Sequence, residues 1–534
     1  MSFISRFGKY ADKHYKDVTG LALIAAGIIT ILYYIIFCGK TEMHADCMDT
    51  IMWANASYNS GSLFNKDFEY ACLLPFGGQL LMQPFMLIFG LSYKVHIIGM
   101  VLFLIIFTAS LVFMLRGMDL SWLKTGSTVF ALLMTTCASA KLREIFWGHI
   151  IYYSLGLLFL FVGFGIVLRL IKKAQLKFNY LFALLFIWTL LCATDGIQAL
   201  TIYILPISAG LAGFIILDFN EKLVTQRNKL IAVSIFIILL GTVWGMVILK
   251  LISADITQSY ADAYSMFNNK DTWFDNLSNL LKCHYTLMGV DINSKMAIMS
   301  FSGIINLFRI IFATVIAFAP FFGLFFYTRL KNNGVKIFVI IYFTISFLIL
   351  TGWVFGKISG ANWRLTPIEI TGYILTILLI FELCSAGIYA RLGFTMLIPV
   401  IIYSFIAFCC VFGISVDYEN ENKLFREIKL LEDNNCTYGY ATFWNANPIT
   451  VLTENKIKVR GVKIEDNVIA FRNYQSEKGW YTGETNPDER YFILLTEKEY
   501  NNFNTDGYPV KNIVKSDGYI LIILDKNISF ETTE

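Results

Sequence analysis

The chain has 534 residues, 56% of them hydrophobic and only 15% charged, with a mean hydropathy of +0.60. Soluble domains carry charge on about a quarter of their residues, so this composition excludes an ordinary soluble enzyme. The net charge of +4 hides a split, because residues 417–534 hold 14 Lys/Arg against 20 Asp/Glu and the rest hold 29 against 19.

Repeated apolar runs of about 18 or more residues make this a polytopic membrane protein. Spans are expected near residues 20–38, 95–115, 125–139, 150–168, 178–193, 198–217, 230–252, 298–327, 336–355, 366–388 and 393–416, about eleven by the length criterion. The first run, Leu21–Cys38, is followed by no small-residue cleavage site and reads as a retained signal anchor. Residues 80–91 are too short to cross and are preceded or interrupted by Pro75, Gly77, Gly78 and Pro84. They are expected to lie in the interface or to dip in and return. On that reading, with the N-terminus cytoplasmic, 17 of the 29 basic residues before position 417 fall inside, among them Arg6, Lys9, Lys13, Lys177 and Lys222. This is the orientation that the positive-inside rule favours. The plasma-membrane exterior then receives residues 39–94, 140–149, 194–197, 253–297, 356–365 and the tail from 417.

The unusual polar residues fall in those outer segments. His44, Asp46 and Asp49 follow the first span. The two aspartates are three positions apart and share a face if the segment is helical. They can act on a proton, or simply cap a loop helix. The next outer loop, ASAKLREIFWGHIIYYS, brings Lys141, Arg143, Glu144 and His149. Its two cations suit a phosphate group, or lipid headgroups at a Trp-containing boundary. Asp195 sits in the turn Thr194-Asp195-Gly196 between two apolar runs, where Asp-Gly is also an ordinary turn signal. Residues 253–297 mix Tyr260, Asp262, Tyr264, Trp273, Asp275, His284 and Tyr285, a pattern suited to gating or binding a substrate. Later, GKISGANWRLTP carries Lys357 and Arg364 beside Trp363, as phosphate ligands or as interfacial anchors. Cys47, Cys72, Cys283 and Cys436 would all be external, where a disulfide can form, and free thiols are the equal alternative. The ten cysteines contain no CxxC or Cys/His cluster, which argues against zinc.

After Ser415 the composition changes. ENENKLFREIKLLEDNN reads as an amphipathic helix. YGYATFW, KIKVRGVKI, VIAFRNY, RYFILLT and YILIILD read as strands, with NANPITVLTEN and TEKEYNNF as short helices. The expectation is a small extracytoplasmic α/β domain over 417–534, appended to a membrane domain over 1–416. The aromatic and polar run Tyr438–Asn447 suggests a strand end facing sugar or polymer. No nucleotide-binding glycine loop, Ser/His/Asp arrangement or basic aromatic nucleic-acid surface is present in the tail.

Asp46, Ala54, Gly61, Leu63, Asp67-Phe68, Pro75 and Phe89-Gly90 resemble the first external loop of the GT-C glycosyltransferases. Protein mannosyltransferases and the aminoarabinose transferase of lipid A belong to that superfamily. The resemblance implies a GT-C-like membrane domain with its catalytic loop at 39–94. It implies an inverting transfer of sugar from a polyprenyl-phosphate-linked donor to an external wall polymer, lipid or protein. Asp46 takes the position of that superfamily's catalytic carboxylate. The following residue, often Glu there, is Cys47 here, so Asp49 remains an alternative base, an acceptor ligand or the holder of a divalent metal ion. Glu144 or His149 would face the donor, and Arg364, Lys357, Arg143 and Lys141 would hold its phosphate. His44 and Asp195 are further substrate-binding candidates. No organic cofactor is implied. The alternatives are a transporter or flippase of a lipid-linked sugar, and a non-catalytic envelope scaffold. A transporter should place polar or broken helices at the bilayer midplane, and few occur in this sequence.

Overall fold

The structure is a computed structural model that describes residues 14–173, 180–218, 225–258, 266–293 and 295–530. Arg6, Lys9, Lys13, Lys177, Lys222, Tyr260, Asp262 and Tyr264 lie outside the described residues. Among those described, nine helices are long and apolar enough to cross a membrane: Tyr15–Cys38, Tyr93–Gly117, Tyr152–Lys173, Ile197–Leu217, Gln226–Asp255, Phe301–Phe325, Asn333–Phe355, Asn362–Cys384 and Ala390–Phe412. Two further expected spans are the 14-residue helices Trp122–Thr135 and Tyr180–Ala193. At 1.5 Å per residue each reaches only about 21 Å, short of a ~30 Å hydrocarbon core.

The first of these short helices lies tightly against the opening span. A side-chain carbon on Gly20 would stand 2.1 Å from the Trp122 carbonyl oxygen, and one on Gly126 would stand 2.0 Å from that of Gly20. Small residues allow this backbone approach, as in other membrane helix pairs. Helix Gln79–Phe89 has only 11 residues, with Pro84 inside it. It buries Met82 and Met86 while Leu87 and Ile88 stand exposed. A bare apolar face on so short a helix fits the expected interfacial segment.

The C-terminal region is built on a six-stranded mixed sheet of order β4-β3-β2-β6-β8-β7. Its strands are β2 (Tyr438–Thr442), β3 (Lys458–Glu465), β4 (Val468–Phe471), β6 (Tyr491–Thr496), β7 (Val510–Ser516) and β8 (Tyr519–Leu524). β2 runs parallel to both β3 and β6, and the other pairs are antiparallel. Helices Lys423–Asp433 and Phe443–Leu452 cover one face, contributing Leu424, Ile428, Leu431 and Ile449 to a core with Val459, Phe492 and Leu521. The other face gathers Tyr440, Tyr481, Tyr491, Ile493 and Ile522. β7 has no counterpart in the sequence reading, because VKNIVKS is an edge strand with only partly buried residues and lacks a clean alternation. The helix expected from Asn445 begins two residues earlier, at Phe443.

This region does not hang free. Two short strands, β1 (Phe68–Glu69) and β5 (Ser476–Glu477), pair antiparallel across the two regions, Phe68 opposite Glu477 and Glu69 opposite Ser476. Asn422 donates to the carbonyls of Lys40 at 2.8 Å and Met43 at 2.9 Å. Thr41 donates to the Ser415 carbonyl at 2.8 Å. Residues 39–70 are thus roofed by the tail.

Candidate active site at the mouth of the first span

The opening span ends in a wider turn, Tyr34–Cys38, and His44 is fully extended. A single 3₁₀ turn, Ala45–Met48, then runs into the helix Asp49–Ser60. Residues three apart eclipse one another in a 3₁₀ turn, which sets Asp46 and Asp49 on one side. That helix closes at Gly61, whose φ of 66° is left-handed and suits glycine. Asp46 is half-buried, and its carboxylate makes no hydrogen bond or ion pair among the described residues. Asp49 is only 6% exposed. Burial, then the Asp46 carboxylate, push its pKa well above the ordinary range, against the opposing pull of His44 and Gln475.

The second loop folds onto this turn. Ser139 caps the turn Ala140–Arg143 by accepting from the Leu142 N–H, and the wider turn Glu144–Gly148 carries the chain to extended His149. His149 Nδ1 lies 3.1 Å from the Asp46 carbonyl oxygen. A carbonyl can only accept, so Nδ1 is the protonated nitrogen and Nε2 is left as an acceptor. Burial lowers the His149 pKa, which keeps the ring neutral. Ile150 N donates to Thr50 Oγ1 at 3.0 Å, stitching the two loops a second time.

Glu144 is the hub. Its carboxylate lies 3.1 Å from His44 Nε2 and pairs with Lys141 Nζ. Burial alone would raise the Glu144 pKa, but His44 and Lys141 bring it down to about 2. Conversely, burial disfavours the His44 cation, yet Cys47 and Glu144 push its pKa up to about 11. Lys141 Nζ also stands 4.5 Å from the centroid of Trp363. A cavity of about 250 Å³ opens beside this cluster, lined by Tyr34, His44, Cys47, Tyr93, His96, Lys141, Glu144 and Trp147 among others. Its wall sets His44 and Lys141 against Glu144 and Glu42, a formally balanced group of charges.

The remaining candidates are placed differently. Arg143 is 8% exposed, and its guanidinium grips both oxygens of Glu42. It also donates to the Cys137 carbonyl at 2.8 Å, while Tyr34 donates to Glu42 at 2.8 Å. Glu42 holds the Arg143 pKa above its usual value in spite of burial. Arg143 is therefore spent on joining the two loops. Arg364 donates to the Lys357 carbonyl at 3.1 Å, and Lys357 is exposed with its Nζ 3.9 Å from Met266 Sδ. Neither lines the cavity, nor do Asp46, Asp49 and His149, and it is Trp363 that touches the site, through Lys141. Asp195 is buried in its turn, with Oδ1 accepting from Phe76 N at 2.9 Å and Oδ2 unpaired. Burial pushes its pKa up to about 8. His284 lies away from the cavity wall, 2.7 Å from Glu369.

Across Ala140 lies an open groove of about 380 Å³, lined by Ser139, Arg143, Asp291 and Arg309 among others. Arg309 is held there by the Gly289 carbonyl at 3.0 Å and Cys410 Sγ at 3.2 Å. Among the described residues, no three His, Cys, Asp or Glu side chains converge as metal ligands. All ten cysteines are free.

Two participants, Glu42 and Gln475, go unseen in the sequence, and Trp444 stands out there only as part of the aromatic run Tyr438–Asn447. Glu42 stands four residues before Asp46 and could have been weighed with it. Gln475 accepts from Trp53 Nε1 at 2.6 Å, and Trp444 stands 6.4 Å from the His44 ring. Both come from the tail, and no spacing rule links residues about 400 positions apart.

The architecture matches the apo crystal structure of ArnT from Cupriavidus metallidurans over 94% of this chain and 97% of that one, with a TM-score of 0.53 and 10% identity. A looser likeness reaches Archaeoglobus fulgidus oligosaccharyltransferase. The structure carrying a tethered acceptor peptide gives a TM-score of 0.44 at 8% identity, over 98% of this chain and 76% of that chain. The apo form also gives 0.44, at 9% identity over 89% and 69%. No family model and no curated protein matches the sequence. The chain has the fold of the ArnT structure.

Proposed function

With that GT-C fold as the premise, we propose that this protein is an integral membrane glycosyltransferase. It moves a sugar from a polyprenyl-phosphate-linked donor to an acceptor on the outer face of the membrane, with Asp46 as general base. The observation that carries the reading is the meeting of His44, Asp46, Asp49, Glu144 and His149 where two loops cross, with no hydrogen bond to the Asp46 carboxylate among the described residues.

The chemistry follows from those positions. The acceptor hydroxyl gives its proton to the Asp46 carboxylate as its oxygen forms a bond to the sugar's anomeric carbon. The bond from that carbon to the donor phosphate breaks, and the phosphate leaves with the electron pair. One displacement of this kind inverts the anomeric centre. Charge growing on the leaving phosphate meets Lys141, which Glu144 and Trp363 hold in place. Arg309, across Ala140, is a second cation within the same end of the bundle. Burial and the neighbouring Asp46 carboxylate favour the protonated form of Asp49, which spares the pair two adjacent charges, and His149 fixes the turn that bears Asp46. The Nε2 of His149 remains as an acceptor for a sugar hydroxyl. A cavity of about 250 Å³ suits one small polar group rather than a long chain, which leaves the polyprenyl tail to lie along the bundle.

The basic inner loops support placing this site on the exterior of the plasma membrane. The acceptor is a wall polymer, a lipid or a protein. The test is transfer of labelled sugar from a synthetic polyprenyl-phospho-sugar by the wild type and by Asp46→Asn. Loss of transfer at normal expression is expected. An unchanged rate would end the assignment of Asp46. Donor appearing on the far side of sealed vesicles without transfer would favour a flippase instead.

A further inference from the structure

The buried side of the aspartate pair is closed by a residue from the far end of the chain. Gln475 is 2% exposed and has a φ of 53°, a left-handed conformation that side chains other than glycine and asparagine seldom adopt. Such a backbone persists when its surroundings over-determine it, and here they do. Its N–H donates to the Glu69 carbonyl at 2.8 Å, and its carbonyl accepts from Asn447 Nδ2 at 3.3 Å. Three residues on, Lys478 N donates to the Asp67 carbonyl at 3.0 Å. The pairing of β1 with β5 lies between these bonds. The chain is thus pinned on both sides of Gln475, and its side chain has one direction to take.

That direction is toward the helix Asp49–Ser60. Asp49 and Trp53 are four residues apart and share a face of it. Trp53 Nε1 can only donate, so the 2.6 Å contact identifies the oxygen end of the Gln475 amide. The amide's nitrogen end is buried without a hydrogen-bond partner among the described residues, and Asp49, one turn before Trp53 on the same face, is the acid whose pKa Gln475 pulls down. Through Trp53, Gln475 ties the helix face that carries the acid to the C-terminal region.

We propose that Gln475 is a positioning residue, supplied by the C-terminal region, which orients the Asp49 carboxyl beside Asp46. The centre is then complete only when Ser476–Glu477 is paired with Phe68–Glu69. The proposal rests on the glycosyl-transfer reading for its kinetic consequences but not for its geometry. It gives the C-terminal region a role inside the reaction, beyond capping or acceptor docking.

Two substitutions in the full-length chain test it. Gln475→Met keeps the length but removes the donor and the acceptor. It should lower kcat on the order of tenfold to a hundredfold, as expected for a displaced catalytic group, with KM little changed. Gln475→Glu keeps the acceptor for Trp53 and regains a donor only when protonated. Its rate relative to wild type should recover as the pH is lowered, a response that a purely structural role would not produce. An unaltered kcat in Gln475→Met would overturn the proposal. So would a Gln475→Glu deficit that is flat with pH and parallels a fall in thermal midpoint. The geometry is tested without any transfer assay by a double-mutant cycle in thermal midpoint between Asp49→Asn and Gln475→Met. Contacting residues should be non-additive, and strict additivity would overturn the contact itself. Coupling in the cycle together with no sugar transfer by the wild type would leave the contact standing and remove the glycosyl-transfer reading instead.

Discussion

Asp49 and Asp195 make an instructive pair. Each follows an apolar helix, each is nearly inaccessible, at 6% and 4% exposure, and burial raises the pKa of each. Their company differs. Asp195 has one backbone N–H and an unpaired oxygen. Asp49 has a second acid, a protonated histidine, a glutamate hub and an amide from another region of the chain around it. A perturbed acid marks a candidate site, as perturbed groups often do, but burial alone achieves that anywhere in a bundle. The distinguishing property is a neighbourhood in which groups of opposite charge state are held side by side next to a cavity.

The sharpest way to break this contrast is to neutralise one acid from each region. Asp46→Asn should reduce transfer on the order of 10²–10⁴-fold, the range for loss of a general base. Asp195→Asn should leave transfer near wild type in the same assay. Equal losses would mean that the two regions do not differ as argued.

The next effect is on stability. Arg143 and Glu42 form a nearly buried pair at the crossing of the two loops. Removing one partner strands the other charge, which costs about 3–5 kcal/mol in fully buried pairs and less here, because the Glu42 side chain is 24% exposed. Arg143→Met should therefore lower the thermal midpoint strongly, and Arg143→Met combined with Glu42→Gln should recover part of it. A smaller consequence attends Lys141, which is more exposed and whose partner Glu144 keeps His44. Lys141→Met should slow transfer on the order of tenfold by weakening charge stabilisation on the leaving phosphate, with little change in thermal midpoint. Measured with donors of different head-group charge, the loss should grow with that charge.

Much of this arrangement is legible in the sequence, and the reasons are physical. Apolar runs announce membrane helices because a bilayer leaves the chain few alternatives. Pro84 and a length of 11 residues declare Gln79–Phe89 a non-crossing helix. Charged residues in membrane-proximal loops are few, so His44, Asp46, Asp49, Lys141, Glu144 and His149 stand out and do meet. What escapes is the partner of each. Arg143 reads as a phosphate ligand until Glu42 is seen against it. Arg364 and Lys357 read as neighbours of the acids, whereas Trp363 makes the connection to Lys141. The pairing of β1 with β5 involves two-residue strands about 400 positions apart, too short for any periodicity to reveal. For the same reason Gln475 looks like an ordinary loop residue.

The smallest effect on transfer belongs to Asp195, and there pH supplies the discriminating measurement. Its folded-state pKa, about 8, lies above the ordinary 3.8. Between those values the folded chain retains a proton that the unfolded chain has released. Stability must then fall as pH rises across that window, by about 1.4 kcal/mol per pH unit at most, and level off above it. Asparagine cannot ionise, yet its Oδ1 can still accept from the Phe76 N–H. Asp195→Asn should therefore have the higher thermal midpoint near pH 8, with the gap to wild type closing toward pH 4. The His44–Glu144 pair gives the opposite low-pH behaviour, because a glutamate held at about 2 contributes stability above 4.5 that is lost as pH falls. Glu144→Gln should accordingly flatten the acid limb, while Asp195→Asn flattens the neutral one. Parallel curves for Asp195→Asn and wild type across pH 4–8 would show that the turn around Asp195 admits water, and the contrast with Asp49 would then rest on charge neighbours alone.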